Sequence, residues 1–450
     1  MDFTECYEDT VSSAAAAARS GCRRQLRRLI DRGCSVDGRD NRGWNPLHEA
    51  AAAGSKECVQ EILSAVSGKK DQEMLNRCHW NFSVNQSVMI SILCPGANVN
   101  AQAADLATPL LIASQEGHQD CVDLLLERGA DPNMACSDDW PQLPIHAAAQ
   151  FGRIRILRRL IEVTDRRCDG GEGMVSPLYV AISSEQSSSA ELLLKEGYSA
   201  DAQDCRLALG FPSPLSLAFY RTATQPCRDS VKLLLAAGAA LKAEEWTYAL
   251  ATDKTDLLEL ILDYRWIRGP EAFHKDIPAG RHGGKTVLKL QELRELVCVA
   301  LSQVNFASCW LPVLLNKGLD PYLLLHPHML EKAESDVLNF LLQFINWSTL
   351  PPPLKIILEQ REAEGTWEPL AHFASVPSLF HLCRLKVRDA LGPDQLMTTD
   401  AVQQLPVPSP LHVFLQFRDI QKPSYTRPPP SPVINRVERH RSAHQHRHVL

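Results

Sequence analysis

Apolar residues in this chain come in short runs at helical spacing, and the runs open on prolines. Five segments align: Asn45-Pro-Leu-His-Glu-Ala-Ala, Thr108-Pro-Leu-Leu-Ile-Ala-Ser, Leu143-Pro-Ile-His-Ala-Ala-Ala, Ser176-Pro-Leu-Tyr-Val-Ala-Ile and Ser213-Pro-Leu-Ser-Leu-Ala-Phe. An Asn, Thr or Ser before the proline caps a helix by accepting from its free N–H groups. Proline at the first helical position loses no hydrogen bond there. The small alanines that follow let neighbouring helices approach closely. A second apolar helix follows each motif, at 58–63, 121–126, 156–161, 190–194 and 230–235. Three of these stop at Gly129, Gly197 and Gly238, the residue type that accepts a left-handed cap. Finger-like turns such as Gly129-Ala-Asp-Pro-Asn come next.

The motif prolines stand at 46, 109, 144, 177 and 214, so the last three intervals are 35, 33 and 37. Motif and spacing together resemble ankyrin repeats, whose period is about 33. A single repeat cannot bury its apolar face, so stacking is obligatory. Residues 11–39 read as an opening half-matching repeat, with Leu26, Leu29 and Ile30 as its stripe and Gly33 as its stop. The first interval is 63, nearly two periods, with no motif between. Only Gly96-Ala-Asn-Val-Asn looks like a repeat ending there. The expectation for 65–96 is an irregular break, poorly packed or disordered, left by a missing or altered stretch. From about residue 243 to 370 the motif fades into degenerate repeats. They enclose a Gly-, Pro- and His-rich loop near 269–284, with further helices at 337–347 and 354–363.

Near the C-terminus, Leu379, Cys383 and Val387 recur every fourth residue and share one helix face. Ser378 is placed to cap that helix. About twenty residues on, Leu405-Pro406-Val407-Pro408 fixes an extended backbone with little ordering entropy left to lose on binding. A helix at 411–417 follows and can pack back on the first. The two parts resemble the elongin-binding and cullin-binding halves of a SOCS box, in the right order. With the repeats, they identify the chain as a member of the ankyrin repeat and SOCS box family. The fold implied is an all-α repeat solenoid with hairpin fingers, followed by a small helical SOCS box. The divisions are repeats at 1–64, a break at 65–96, repeats at 97–242, degenerate helices at 243–370, the SOCS box at 371–418 and a disordered Pro-, Arg- and His-rich tail at 419–450. Relative to its family, the chain looks shortened by several internal repeats and altered in its tail.

The resemblance implies a substrate receptor. Leu379, Leu382, Cys383 and Val387 would hold elongin B and elongin C. Leu405, Pro406, Val407 and Pro408 would hold cullin 5 with its RING subunit. The array would hold a target protein for ubiquitination and proteasomal degradation. Aromatic and Arg residues in the fingers are the candidate target contacts, because such residues anchor interfaces. They are Arg42 and Trp44 in the first finger, Asp138 and Trp140 in an enlarged one, and Phe211 in another. The alternative is that these side chains pack within their own repeats.

Composition excludes more than it assigns. Net charge is −6, so nothing global points to nucleic acid. Two basic helices, around Arg23–Arg28 and Arg153–Arg159, read as solvated outer faces. No stretch is long and apolar enough for membrane insertion, and the start lacks a secretory pattern. The 14 cysteines include no Cys-x-x-Cys pair, which predicts reduced thiols in a cytoplasmic or nuclear chain. No metal site or cofactor is expected, and the tail histidines read as incidental. Gly280 to Thr286 misses the phosphate-loop spacing by one residue. No nucleophile–base set stands out, so no catalytic residue is assigned. The competing readings are a plain ankyrin scaffold with an inactive SOCS box and, further off, an enzyme within 244–370.

Overall fold

A computed structural model of the 450-residue chain describes residues 11–65, 97–136, 142–170, 175–201, 210–224, 229–267, 281–282, 285–397 and 402–424. Two units result, Met1–Ala239 and Ala240–Leu450.

Helix pairs build the first unit. They are α1 (Ser13–Arg19) with α2 (Arg23–Asp31), α3 (Pro46–Ala52) with α4 (Lys56–Ser64), and α5 (Pro109–Glu116) with α6 (Gln119–Glu127). There follow α7 (Pro144–Gln150) with α8 (Ile154–Val163), α9 (Pro177–Ser183) with α10 (Ser187–Lys195), and α11 (Pro214–Thr224) with α12 (Asp229–Ala236). Each first helix packs on the next first helix, and each second helix on the next second helix. The prolines open their helices as the motif requires. Asn45 accepts from the N–H groups of Leu47 and His48, Thr108 from Leu111, Ser176 from Leu178 and Ser213 from Ser216. Leu143 has no acceptor, and its own N–H donates to His146 Nδ1 at 2.9 Å instead. That leaves the proton on Nε2, 2.6 Å from the Val175 carbonyl of the next repeat. Burial pushes this imidazole down to about 4, so it is neutral and purely structural. His48 makes the same bridge to Ala107 at 3.2 Å.

Gly129, Gly197 and Gly238 end their helices at φ of 86°, 83° and 90°, a region where any side chain is strained. Each described finger closes on one backbone bond: Asp40 to Trp44, Ala103 to Ala107 and Cys136 to Gln142. Asx side chains then tie finger to finger. Asn100 accepts from Asp131 N–H, Asn133 from Asp165 and Asp169 from Ser199, at 2.7–2.8 Å.

The long first interval has an unexpected cause. Helices α3 and α4 pack directly on α5 and α6, with no repeat between them. The His48–Ala107 bridge spans 59 residues where the equivalent His146–Val175 bridge spans 29. Two directly stacked repeats are therefore 30 residues further apart in sequence here than at the His146 junction. The expected break at 65–96 lies, Ala65 apart, outside the described residues; the direct stacking of its flanks makes the long interval an insertion in sequence between adjacent repeats.

The second unit opens with α13 (Ala243–Leu250) and α14 (Asp256–Tyr264). A small sheet follows, β1 (Arg265–Trp266), β2 (Arg281–His282) and β3 (Lys285–Val287), in the order β1-β3-β2. Strand β1 is parallel to β3, and β2 is antiparallel to it. The expected loop at 269–284 thus includes strand β2, and 268–280 and 283–284 lie outside the described residues. Next come α15 (Leu290–Ser302), α16 (Ala307–Asn316), α17 (Pro327–Lys332), α18 (Ser335–Leu342) and α19 (Pro352–Ala363). Buried Trp246, Trp310 and Trp367 sit in this core. Trp310 Nε1 donates to Gln303 O and Trp367 Nε1 to Asn339 Oδ1. Helix α16 ends at Gly318 with φ of 92°, the stop used by the regular repeats. The unit closes with α20 (Leu379–Met397) and α21 (Ser409–Leu415).

Candidate functional site

Helix α20 has two faces of opposite character. Ser378 Oγ caps it by accepting from His381 N–H at 3.2 Å. His381, Arg384 and Arg388 share the face turned to the rest of the unit. His381 Nε2 lies 3.0 Å from Ile345 O, and its ring lies 4.8 Å from that of Trp347. Burial lowers its basicity. Arg384, only 4% exposed, lies 3.5 Å over the Phe417 ring and 4.2 Å over Phe414, and pairs with Asp419 at 2.7 Å. Phe417 stacks in turn on Phe344 at 4.3 Å. Arg388 donates to Leu315 O. Burial pushes both guanidiniums down to about 10; Asp419 opposes this at Arg384, and Asp389 and Asp320 oppose it at Arg388 from beyond ion-pair distance.

The opposite face carries Leu379 and Cys383, with Leu382 and Val387 at its edges. Leu379 is 77% exposed and Cys383 is exposed, whereas Leu382 and Val387 are half-buried. An amphipathic helix normally turns its apolar side inward. Here charged and aromatic residues make the attachment, and an apolar row is left uncovered. Phe380, absent from the sequence-based set, is 56% exposed and stacks on Phe414 of α21 at 3.9 Å. Helix α21 thus packs back on α20, as expected. Ahead of it, Leu405 and Val407 are half-buried and Pro406 and Pro408 exposed. His412 Nε2 holds the bend, 3.2 Å from Leu405 O. Asp419 and buried Ile420, assigned to the tail from sequence, belong to this packed region instead, because the ion pair to Arg384 fixes them.

The finger residues fare differently. Phe211 is 7% exposed and packs 4.9 Å from the Tyr220 ring, so it is a core residue and not an exposed anchor. Arg42 lies 4.1 Å over Trp44 and pairs with Asp40 at 2.8 Å and Glu49 at 2.6 Å. Trp44 packs beside the apolar cluster around Ala103 and Leu111. Both remain partly exposed, with the Arg42 guanidinium engaged within the array. Asp138 and Trp140 lie outside the described residues, as do the tail histidines. Lys285 of the near-miss phosphate loop donates to Leu262 O at 2.9 Å. Among the described residues no His, Cys, Asp or Glu group is placed to hold a metal ion. No single described helix is long and apolar enough to cross a membrane.

Comparison with known proteins settles the architecture. The SOCS box profile matches residues 375–416, and the profile for ankyrin repeats in many copies matches 14–60 and 110–161. Ankyrin repeat and SOCS box protein 3 of Homo sapiens is 34% identical, over 93% of this chain and 97% of its own length. The chain belongs to the ankyrin repeat and SOCS box family. The Bos taurus protein of the same name is 32% identical over 93% of this chain and 96% of its own length. The human alignment runs over 530 positions, more than the 450 residues present. The relative therefore carries segments with no counterpart here, as the shortened array implies. A solved human ASB11 ankyrin repeat domain overlaps 60% of this chain and 100% of its own, at 24% identity and a TM-score of 0.40, too low to support an argument. Membership of the ankyrin repeat and SOCS box family supports a non-catalytic role as substrate adaptor of a cullin-RING ubiquitin ligase.

Proposed function

We propose that this chain is the substrate-recognition subunit of an elongin B/C–cullin 5–RING ligase and promotes ubiquitination and proteasomal degradation of its target. The observation that carries the reading is the uncovered apolar row Leu379–Cys383 on a helix whose other face is pinned. Leu379, Leu382, Cys383 and Val387 would meet elongin C. Leu405, Pro406, Val407 and Pro408 would meet cullin 5 with its RING subunit. The repeats, with Arg42 and Trp44 at the first finger, would hold the target. Catalysis is then one of proximity: target lysines are held near a charged ubiquitin-conjugating enzyme at raised effective concentration. Reduced cysteines are consistent with placement in the cytoplasm or nucleus.

Co-expression with elongin B/C tests the reading. Wild type should give a stable complex. The Leu379→Ala/Cys383→Ala variant should lose it, since truncating one exposed Leu forfeits about 2 kcal/mol of burial, roughly thirtyfold in affinity. Because Leu379 is exposed in the free chain, the variant should keep the wild-type melting temperature. A folded wild-type chain that forms no complex would leave a plain ankyrin scaffold.

A further inference from the structure

Beneath the pinned face of α20 lies a cleft of about 670 Å³ that the adaptor role does not use. It is walled by α14, α16 and α18 and by the segment after α21. Its charged lining is Lys317, Arg388, Arg418 and Lys422, with Glu259 and Asp263. Phe340 and Phe417 supply apolar walls. The volume lies within the range of small-ligand sites, about 300–1,000 Å³.

The charges do not balance internally. Asp263 sits 3.5 Å from Lys317. Arg388 has no carboxylate within ion-pair distance among the described residues; its contacts are Leu315 O and the faces of Phe344 and Phe417. A half-buried guanidinium is costly to leave without a close counter-ion. Burial already draws its proton affinity down to about 10. Arg418 and Lys422 at the mouth, both exposed, make no ion pair among the described residues. The chain's own end is a poor counter-ion, since residues 425–450 hold five Arg and one Glu. A planar guanidinium matches phosphate oxygens two at a time, and lysines add point charges around it.

We propose that this cleft binds a phosphate-bearing ligand, with a phosphate on Arg388 and further negative charge met by Lys317, Arg418 and Lys422. Arg418 and Lys422 follow the matched SOCS box segment 375–416, so the short segment after α21 gains a role of its own.

Isothermal titration of the full chain with sodium pyrophosphate, at constant ionic strength of about 0.15 M, reads the site directly. Saturable one-to-one binding is expected. The surface variant Arg418→Glu/Lys422→Glu should weaken it by about tenfold or more without lowering the melting temperature, and Lys317→Met should weaken it independently. Arg388 also packs against aromatic rings, so its variant is not the deciding one. A phosphoserine peptide run in parallel separates sources: tighter peptide binding assigns the phosphate to a protein, tighter pyrophosphate binding to a free metabolite. No saturable heat with either probe, or affinity unchanged in both variants, overturns the proposal.

Discussion

Removing Val66–Pro95 and joining Ala65 to Gly96 should leave the repeat stack intact and raise its stability. In the regular repeats the helix cap runs straight into the finger, as Arg128 does into Gly129 and Ala130. Ala65 caps α4, and buried Ala97 corresponds to buried Ala130. The deletion takes out 30 residues and reduces the proline spacing from 63 to 33, the ankyrin period. The contacts that bridge the junction, His48 to Ala107 and His118 to Ala52, are already those of neighbouring repeats. Holding the ends of a 30-residue insertion together costs at most roughly (3/2)RT ln n, about 3 kcal/mol, so up to that much is returned. For a unit of this size each kcal/mol moves the melting temperature by about 2–4 °C. Thermal unfolding followed by circular dichroism should therefore show a midpoint equal to or above that of the parent, with elongin B/C capture unchanged. A midpoint lowered by more than about 3 °C, roughly 1 kcal/mol, would mean that 66–95 supplies packing to the array, and the insertion reading would fail.

Three further outcomes follow from side-chain geometry. Glu49 is buried and accepts from both Arg19 and Arg42 at 2.6–2.9 Å, so Glu49→Ala should cost about 2 kcal/mol in urea unfolding, between exposed and buried pairs. His146, at about 4 in the folded chain against about 6.5 unfolded, binds its proton more weakly when folded. Its stabilisation is complete above pH 6.5 and is lost as pH falls toward 4, amounting to about 2 kcal/mol by pH 5. A His146→Gln variant should show a flatter melting profile between pH 7 and 5, and an equally steep profile would refute the assignment. Asp419→Ala leaves Arg384 buried without its anion; faster proteolytic release of the SOCS region, with the array's melting unchanged, is the expected readout.

Much of the array was legible because ankyrin signals are local. Caps at Asn45, Thr108, Ser176 and Ser213, the prolines after them and the glycines that stop the second helices all act within a few residues. The interval of 63 was not, since a missing motif inside two periods and one period with a long insertion leave the same proline spacing. Only the stacking of α3 on α5 separates them. The strands at 265–287 are two or three residues long, too short for alternation to show. Phe211 read as an exposed anchor because its partner Tyr220 becomes adjacent only once α11 forms.

The C-terminal helix shows where such pattern reading stops. Spacing by four places Leu379, Cys383 and Val387 on one face whichever way that face points. Ordinary amphipathic logic would turn it inward. What turns it outward is the other face: His381 on Ile345 O, Arg384 between Asp419 and two aromatic rings, and Arg388 on Leu315 O. Each anchor reaches more than thirty residues along the chain, beyond any local signal. The attachment therefore rests on charged and aromatic contacts, and an apolar partner can cover the Leu379 row without competing for the core of its own unit. A helix held by apolar packing alone would have to choose between its unit and its partner.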